Sequence, residues 1–382
     1  MSSRFRTYTL TLFAVFVFPG MVFAASLFHP AVNYASGATG PAAIAVGDFN
    51  EDGIPDLAVA NSNLFGDGTR SVAILLGRGN GRFGKAVNNA CGDTPRAIAV
   101  GDFNHDGHLD LAVTNQLSFN VGIMLGNGDG TFQKMVFYPA GNEPFAIATA
   151  DLNGDGHLDL VVSNFIARGR FRVLLGNGDG TFQPFTIFAL GQHIRIHQIL
   201  LLDLNGDGKI DLLAASAGIN NNPGAISVRL GNGDGTFQDQ VNYFAGGNPF
   251  SVAVADLNGD GKMDLAVADE TDSTVSVLLG DGKGKFGAAQ AFNTGTLPFS
   301  VAIADIDGDG KPDILTANEN TNDVAVLLGK GNGKFASAVS VPVDQAPQAL
   351  IVDDFNHDGL PDVAVANLIS SDISILLNAG SH

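Results

Sequence analysis

Short apolar runs, bounded by Gly, Asn and Asp, alternate with polar turns along almost the whole chain. An apolar run such as Ala97-Ile98-Ala99-Val100 leads into a polar nonapeptide, and a second run such as Leu111-Ala112-Val113 leaves it. A third run ends in Leu-Leu-Gly or a near variant, as in Leu75-Leu76-Gly77, Met124-Leu125-Gly126 and Leu174-Leu175-Gly176. A Gly/Asn/Asp turn and a Phe (Phe132, Phe182, Phe237, Phe286, Phe335) then open a fourth. Runs this short, rich in Val, Ile, Leu, Ala and Phe and closed by turn residues, predict strands rather than helices.

The nonapeptide occurs seven times, beginning at Asp48, Asp102, Asp151, Asp203, Asp256, Asp305 and Asp354, so its period is 49 to 54 residues. A fixed period near 50 signals a stacked or radial repeat fold. Four antiparallel strands per repeat, seven times over, predict an all-β seven-bladed β-propeller. The register predicts how the ring closes. A strand around Phe28 to Tyr34 precedes the first repeat, and the last repeat stops after its third run, at Leu377-Asn378. The N-terminal strand is therefore expected to complete the last blade, whereas an open solenoid needs capping repeats. Residues 25–382 read as this single propeller.

The first residues follow a different pattern. Arg4 and Arg6 precede an apolar run from Leu10 to Phe18, then Pro19-Gly20 and Val22-Phe23-Ala24-Ala25. A basic start, an apolar core and small residues before a cleavage point predict a signal peptide over residues 1–24. A membrane anchor is the alternative, but the run is short for a span of about 20 residues. The protein is thus expected to be secreted, extracellular or held in the periplasm or at the cell surface, with no membrane span after cleavage. The chain carries 20 Lys+Arg against 39 Asp+Glu, a formal charge of −19, which argues against a nucleic-acid partner. The single cysteine, Cys91, excludes an internal disulfide and reads as a small filler. A monomer is expected.

The acidic excess is concentrated in the nonapeptides. Positions 1, 3, 5 and 9 hold Asp48, Asn50, Asp52 and Asp56 in the first loop, and Asp102, Asn104, Asp106 and Asp110 in the second. They hold Asp151, Asn153, Asp155 and Asp159, then Asp203, Asn205, Asp207 and Asp211, then Asp256, Asn258, Asp260 and Asp264. The last two loops have Asp305, Asp307, Asp309 and Asp313, and Asp354, Asn356, Asp358 and Asp362. Position 6 is always Gly, which permits a tight curl that brings alternating oxygens to one point. Position 7 varies (Ile54, His108, His157, Lys209, Lys262, Lys311, Leu360), as suits a residue contributing only its carbonyl. Hard oxygen donors in this number predict Ca²⁺, up to seven ions, one per repeat. An EF-hand is excluded: position 12 is Val59, Val113, Val162, Ala214, Val267, Thr316 or Val365, never Glu, and the flanks read as strands. The sixth loop, with the extra Asp307, is expected to bind most tightly. His105 and His357, at position 4, are expected to face solvent, and Asp129, Asp179 and Asp234 to be turn residues.

This pattern resembles the FG-GAP/VCBS repeat family, whose propellers include the integrin α-subunit head. Phe83-Gly84 and Phe286-Gly287 match the Phe-Gly of the family's name. The resemblance covers essentially the whole chain after residue 24. It implies a seven-bladed propeller with calcium in the hairpin between the first and second strands. A fungal lectin of similar architecture keeps sugar binding open.

With the hairpins on one face, a ligand is expected on the other, whose loops vary freely. The long loops there are Asn61 to Arg70 and Ala217 to Gly224. Six residues before each first Asp stands a variable position: Ala42, Arg96, Phe145, His197, Phe250, Phe299 and Gln348. Two readings compete for it, a central ligand platform and plain packing between blades. His193 and His197 have an H-x₃-H spacing that suits a metal on a helix, but they lead into a strand. The expected function is a calcium-stabilised binding or adhesion module for extracellular glycans or proteins, and not an enzyme. The alternatives are an exported polysaccharide lyase or hydrolase and a structural cell-exterior protein. Nearly every acid is committed to a loop or a turn, so no general acid–base pair stands out.

Overall fold

The computed structural model describes residues 27–380, apart from 64, 65, 67, 69, 167, 168, 192, 193 and 219–223. The expected signal peptide, His193 and parts of both long loops lie outside the described residues. Among the described residues every regular element is a strand, and no helix is long and apolar enough to cross a membrane.

The strands form seven four-stranded antiparallel sheets, one per repeat, as the sequence predicts. The innermost strands are Pro41–Gly47, Pro95–Gly101, Pro144–Ala150, Ile194–Leu202, Pro249–Ala255, Pro298–Ala304 and Pro347–Asp353. The second strands all start at the ninth nonapeptide residue: Asp56–Asn61, Asp110–Asn115, Asp159–Asn164, Asp211–Gly218, Asp264–Asp269, Asp313–Asn318 and Asp362–Asn367. Apart from Gly218 they are buried from end to end, because a neighbouring blade covers each face. The outermost strands, such as Val87–Asn89 and Val241–Tyr243, are short and mostly exposed, which limits the pairing edge they offer.

The core is divided into seven clusters, each lying between adjacent blades. The cluster of Ile44, Leu57, Val59 and Phe83 with Phe355, Ala364 and Ile373 joins the seventh blade to the first and closes the ring. A backbone bond repeats the theme. The carbonyl of the second loop residue accepts an N–H from the next blade's glycine turn: Gly130 N to Phe49 O at 2.8 Å, Gly180 N to Phe103 O at 2.9 Å, and Gly81 N to Phe355 O at 3.0 Å across the closure.

The N-terminal strand closes the last sheet. Val32–Ala35 pairs antiparallel with Asp372–Leu376, the third strand of the seventh blade. Upstream, Phe28 bridges Asn378 as Phe83 bridges Gly77 and Phe335 bridges Gly329 in complete repeats. The expected strand from Phe28 to Tyr34 is thus a bridge at Phe28 followed by a strand from Val32.

Candidate functional site

Each nonapeptide is a hairpin held by its own acids. Position 6 is left-handed in all seven loops, with φ between 79° and 88°, while a Cβ there meets nothing within 4 Å. Backbone conformation, not space, demands the glycine. The position-6 N–H donates to the position-1 carboxylate at 2.7–3.0 Å in every loop. The position-7 N–H donates to the position-5 carboxylate, as in Ile54 to Asp52 at 2.9 Å.

The position-9 carboxylates tie each hairpin to its blade. Asp56 accepts the Phe49 N–H at 2.9 Å on one oxygen and the Gly77 N–H at 2.7 Å on the other. The same pair of bonds recurs at Asp110, Asp159, Asp211, Asp264, Asp313 and Asp362. All seven are 0 % exposed. Burial pushes Asp56, Asp110, Asp313 and Asp362 up to about 6, against backbone bonds that pull the other way. A carboxyl whose folded pKa lies above its unfolded value favours folding while protonated. That stabilisation is lost as pH rises from about 4 to about 6, by about 3 kcal/mol per site. Carboxylates held below the usual range, such as Asp203 and Asp256, titrate beneath this window. Metal-stripped protein is therefore expected to lose urea resistance between pH 4 and 7; a flat profile contradicts the burial argument.

In the sixth loop, Asp305, Asp307 and Asp313 each offer a carboxylate oxygen within 4.8 Å of the others. Oxygens about 2.4 Å from one ion lie at most about 4.8 Å apart, so this donor set fits a hard cation. The other loops replace Asp307 by Asn, and in all of them but the fifth its amide donates to the position-5 carboxylate, as Asn50 does to Asp52 at 3.0 Å. In the fifth and sixth loops Lys262 and Lys311 reach the same carboxylates, Asp260 and Asp309. Position-4 residues touch position 7 of the next loop: Glu51 meets His108, and His105 Nε2 lies 2.8 Å from His157 Nδ1. His105 and His357 are exposed, as expected. The Asp129 carboxylate accepts the Thr131 N–H at 3.0 Å, a turn role. Cys91 packs partly buried against the cluster between the first two blades, and burial pushes its thiol up to about 12.

On the opposite face, the seven variable positions share a cause. Every inner strand breaks register near its start, between Pro41 and Ala43, Pro95 and Ile98, Pro144 and Ile147, Ile196 and Gln198, Pro249 and Ser251, Pro298 and Ser300, and Pro347 and Ala349. Ala42, Arg96, Phe145, His197, Phe250, Phe299 and Gln348 all fall in these bulges, which re-aim a side chain. Six of them, all but Ala42, line one cavity of about 400 Å³ at the channel mouth. The Phe residues pack against rings of neighbouring blades and also face the cavity. Phe250 and Phe299 centroids lie 4.4 Å apart, and His197 lies 4.3 Å from Phe250.

A second ring escaped the sequence reading. Phe165, Ala217, Glu270, Glu319 and Leu368 also line the cavity, each 14 residues after a first Asp. Gln116 holds the same position and accepts the Arg96 Nε–H at 2.9 Å. Gln348 donates to Glu319 at 2.8 Å, and Phe165 stacks on Phe145 with centroids 4.9 Å apart. Arg195 lies over Phe165 and Arg96 over Phe145. His197 keeps some surface exposed, yet both ring nitrogens are shielded and unpartnered. Burial, then Arg195 and Arg96, push it down to about 4, so it is neutral at pH 7. Burial and then Glu319 raise the Glu270 carboxyl. Two carboxyl groups thus face the cavity where the sequence reading found no acid pair.

Three solved structures share the fold. An Agrocybe aegerita lectin recognising non-reducing terminal N-acetylglucosamine is 20% identical, with 87% of this chain and 86% of that one covered and a TM-score of 0.54. BBS1N, solved in complex with ARL6DN, is 15% identical over 94% and 99%, at 0.62. The periplasmic gluconolactonase of Pseudomonas aeruginosa is 16% identical over 84% and 98%, at 0.61. No curated protein matches the chain. The FG-GAP-like repeat pattern matches residues 48–113, 115–162, 164–214, 203–267, 256–316 and 305–365. With hairpins, blades and repeat pattern all coinciding over this span, the chain belongs to the FG-GAP-like repeat family.

Proposed function

We propose that this protein is an exported binding propeller, stabilised by calcium in its acidic hairpins, that takes a glycan or protein ligand at the channel mouth opposite them and does not transform it. The observation that carries this reading is the convergence of bulge residues from six blades on one cavity. Seven hairpins keep the same Asp and Gly positions, while the bulges range over Ala, Arg, Phe, His and Gln, which separates a fixed scaffold from a variable surface. The lectin and BBS1N neighbours bind a sugar and a protein on the same architecture, which supports a binding role. The gluconolactonase neighbour and the Glu270–Glu319 pair support the alternative of a polysaccharide-active enzyme.

The test is binding of calcium-loaded protein to an array of glycans and extracellular proteins, with a metal-stripped control. Calcium-dependent hits that weaken at least tenfold in Phe250→Ala are expected. A blank array from folded, calcium-loaded protein, followed by turnover of a polysaccharide substrate, overturns the binding reading in favour of the enzyme.

A further inference from the structure

The cavity is charged, and its charges are not matched to each other. Arg96 and Arg195 belong to the second and fourth blades, Glu270 and Glu319 to the fifth and sixth. The ion pairs among the described residues are Arg70–Asp93, His108–Glu51, Lys262–Asp260 and Lys311–Asp309, so neither arginine meets an acid. Arg195 Nε is shielded and has no hydrogen-bond partner among the described residues. On the other wall the two carboxylates repel one another, and among the described residues the Glu319 carboxylate is bonded by the Gln348 amide alone. Leaving charges of both signs half-buried in one cavity without pairing them costs free energy, unless a ligand completes each half.

The cavity's other groups narrow the ligand. Phe250 and Phe299 give an apolar wall without hydroxyl or indole N–H. The Gln348 amide is already bonded to Glu319, and Gln116, behind Arg96, is bonded to that arginine, which leaves Asn248 as the planar amide on the cavity wall. What remains is a cation-binding wall, an anion-binding wall, an apolar surface and the one amide of Asn248. A lysine side chain lays its methylenes on such a surface while its ammonium reaches a carboxylate.

Resting on the reading of this cavity as the ligand site, we propose that it captures the C-terminal basic residue of a peptide chain, with the ammonium or guanidinium between Glu270 and Glu319 and the α-carboxylate on Arg96 and Arg195. Arginines suit that carboxylate because their planar fork can engage both oxygens. The bound cation relieves the repulsion between the two glutamates.

The test uses the full calcium-loaded chain and three probes by isothermal titration: Nα-acetyl-lysine, its methylamide, which lacks the carboxylate, and Nα-acetyl-norleucine, which lacks the ammonium. Nα-acetyl-lysine is expected to bind at least tenfold tighter than either. Glu270→Gln with Glu319→Gln should abolish the preference over norleucine, and Arg96→Gln with Arg195→Gln the preference over the methylamide. The single variants serve if a double variant does not fold. Three probes binding within twofold of each other, or preferences that survive both pairs, overturn the proposal. If no probe binds but array hits still depend on Phe250, the cavity stays a ligand site and only this ligand class falls. If array hits ignore Phe250 as well, the cavity reading falls with it.

Discussion

Stripping calcium from the loaded protein is expected to lower its Tm by tens of degrees. Each loop crowds three aspartates, four in the sixth, around one tight turn. Their position-9 members are fully buried, and burial raises their pKa, so at pH 7 the metal-free fold holds seven carboxylates where water cannot solvate them. A cation in each loop reverses that penalty. Sites of extracellular type, with Kd on the order of 10⁻⁴ M, stand near 100-fold saturation at about 10 mM calcium, and each then contributes about 2.7 kcal/mol. Seven such sites amount to the order of 10–20 kcal/mol, as large as the whole stability of an ordinary domain. Calorimetry with and without chelator reads the effect, and an unchanged Tm sinks the calcium assignment. Asp307→Asn supplies a finer arm. It removes one of three converging carboxylates, so it should weaken one site and leave the other six and the fold intact. Global unfolding of that variant would contradict the modular loops.

The scaffold was legible because its constraints are local and repeated. A glycine needed for φ near 80°, an Asp that must cap two N–H groups, and a Phe that must reach the neighbouring blade each recur at one spacing. Chain closure was legible for the same reason, since Phe28 and Asn378 occupy repeat positions although the residues between them are far apart in sequence. The cavity was half legible. The bulge position could be found by counting back from a fixed motif, but nothing in the alternation of apolar residues marks a bulge, so its aim into the channel emerges only from the register shifts. The ring at Gln116, Phe165, Glu270 and Glu319 lies the same kind of count forward, and its varied chemistry disguised it as loop. Arg195 escaped as well: it precedes the bulge, and its place on the cavity wall emerges only from the structure, with Ile196 beside it buried in the core.

Removing the N-terminal segment tests the ring itself. A chain lacking residues 27–36 is expected to melt roughly ten degrees or more lower and to self-associate. Leu27 and Phe28 are 6% and 3% exposed and pack into the cluster between the sixth and seventh blades. Their burial contributes about 2–3 kcal/mol each. The segment also supplies the bond from His29 N to Leu377 O at 2.8 Å, that from Ala379 N to Leu27 O at 2.9 Å, and the pairing of Val32–Ala35 with Asp372–Leu376. Its loss turns Asp372–Leu376, buried except at Asp372, into an open edge that a second chain can pair with. The seventh blade then has three strands, and the cluster that joins it to the first blade loses Tyr34. The damage should be reversible in trans, because a synthetic peptide spanning residues 27–37 can add to the free edge as a strand. Restored Tm and a return to monomer on adding that peptide, measured by calorimetry and sedimentation, are the expected result. A truncated chain that melts like the intact one would mean that the seven inter-blade clusters close the ring without the strand.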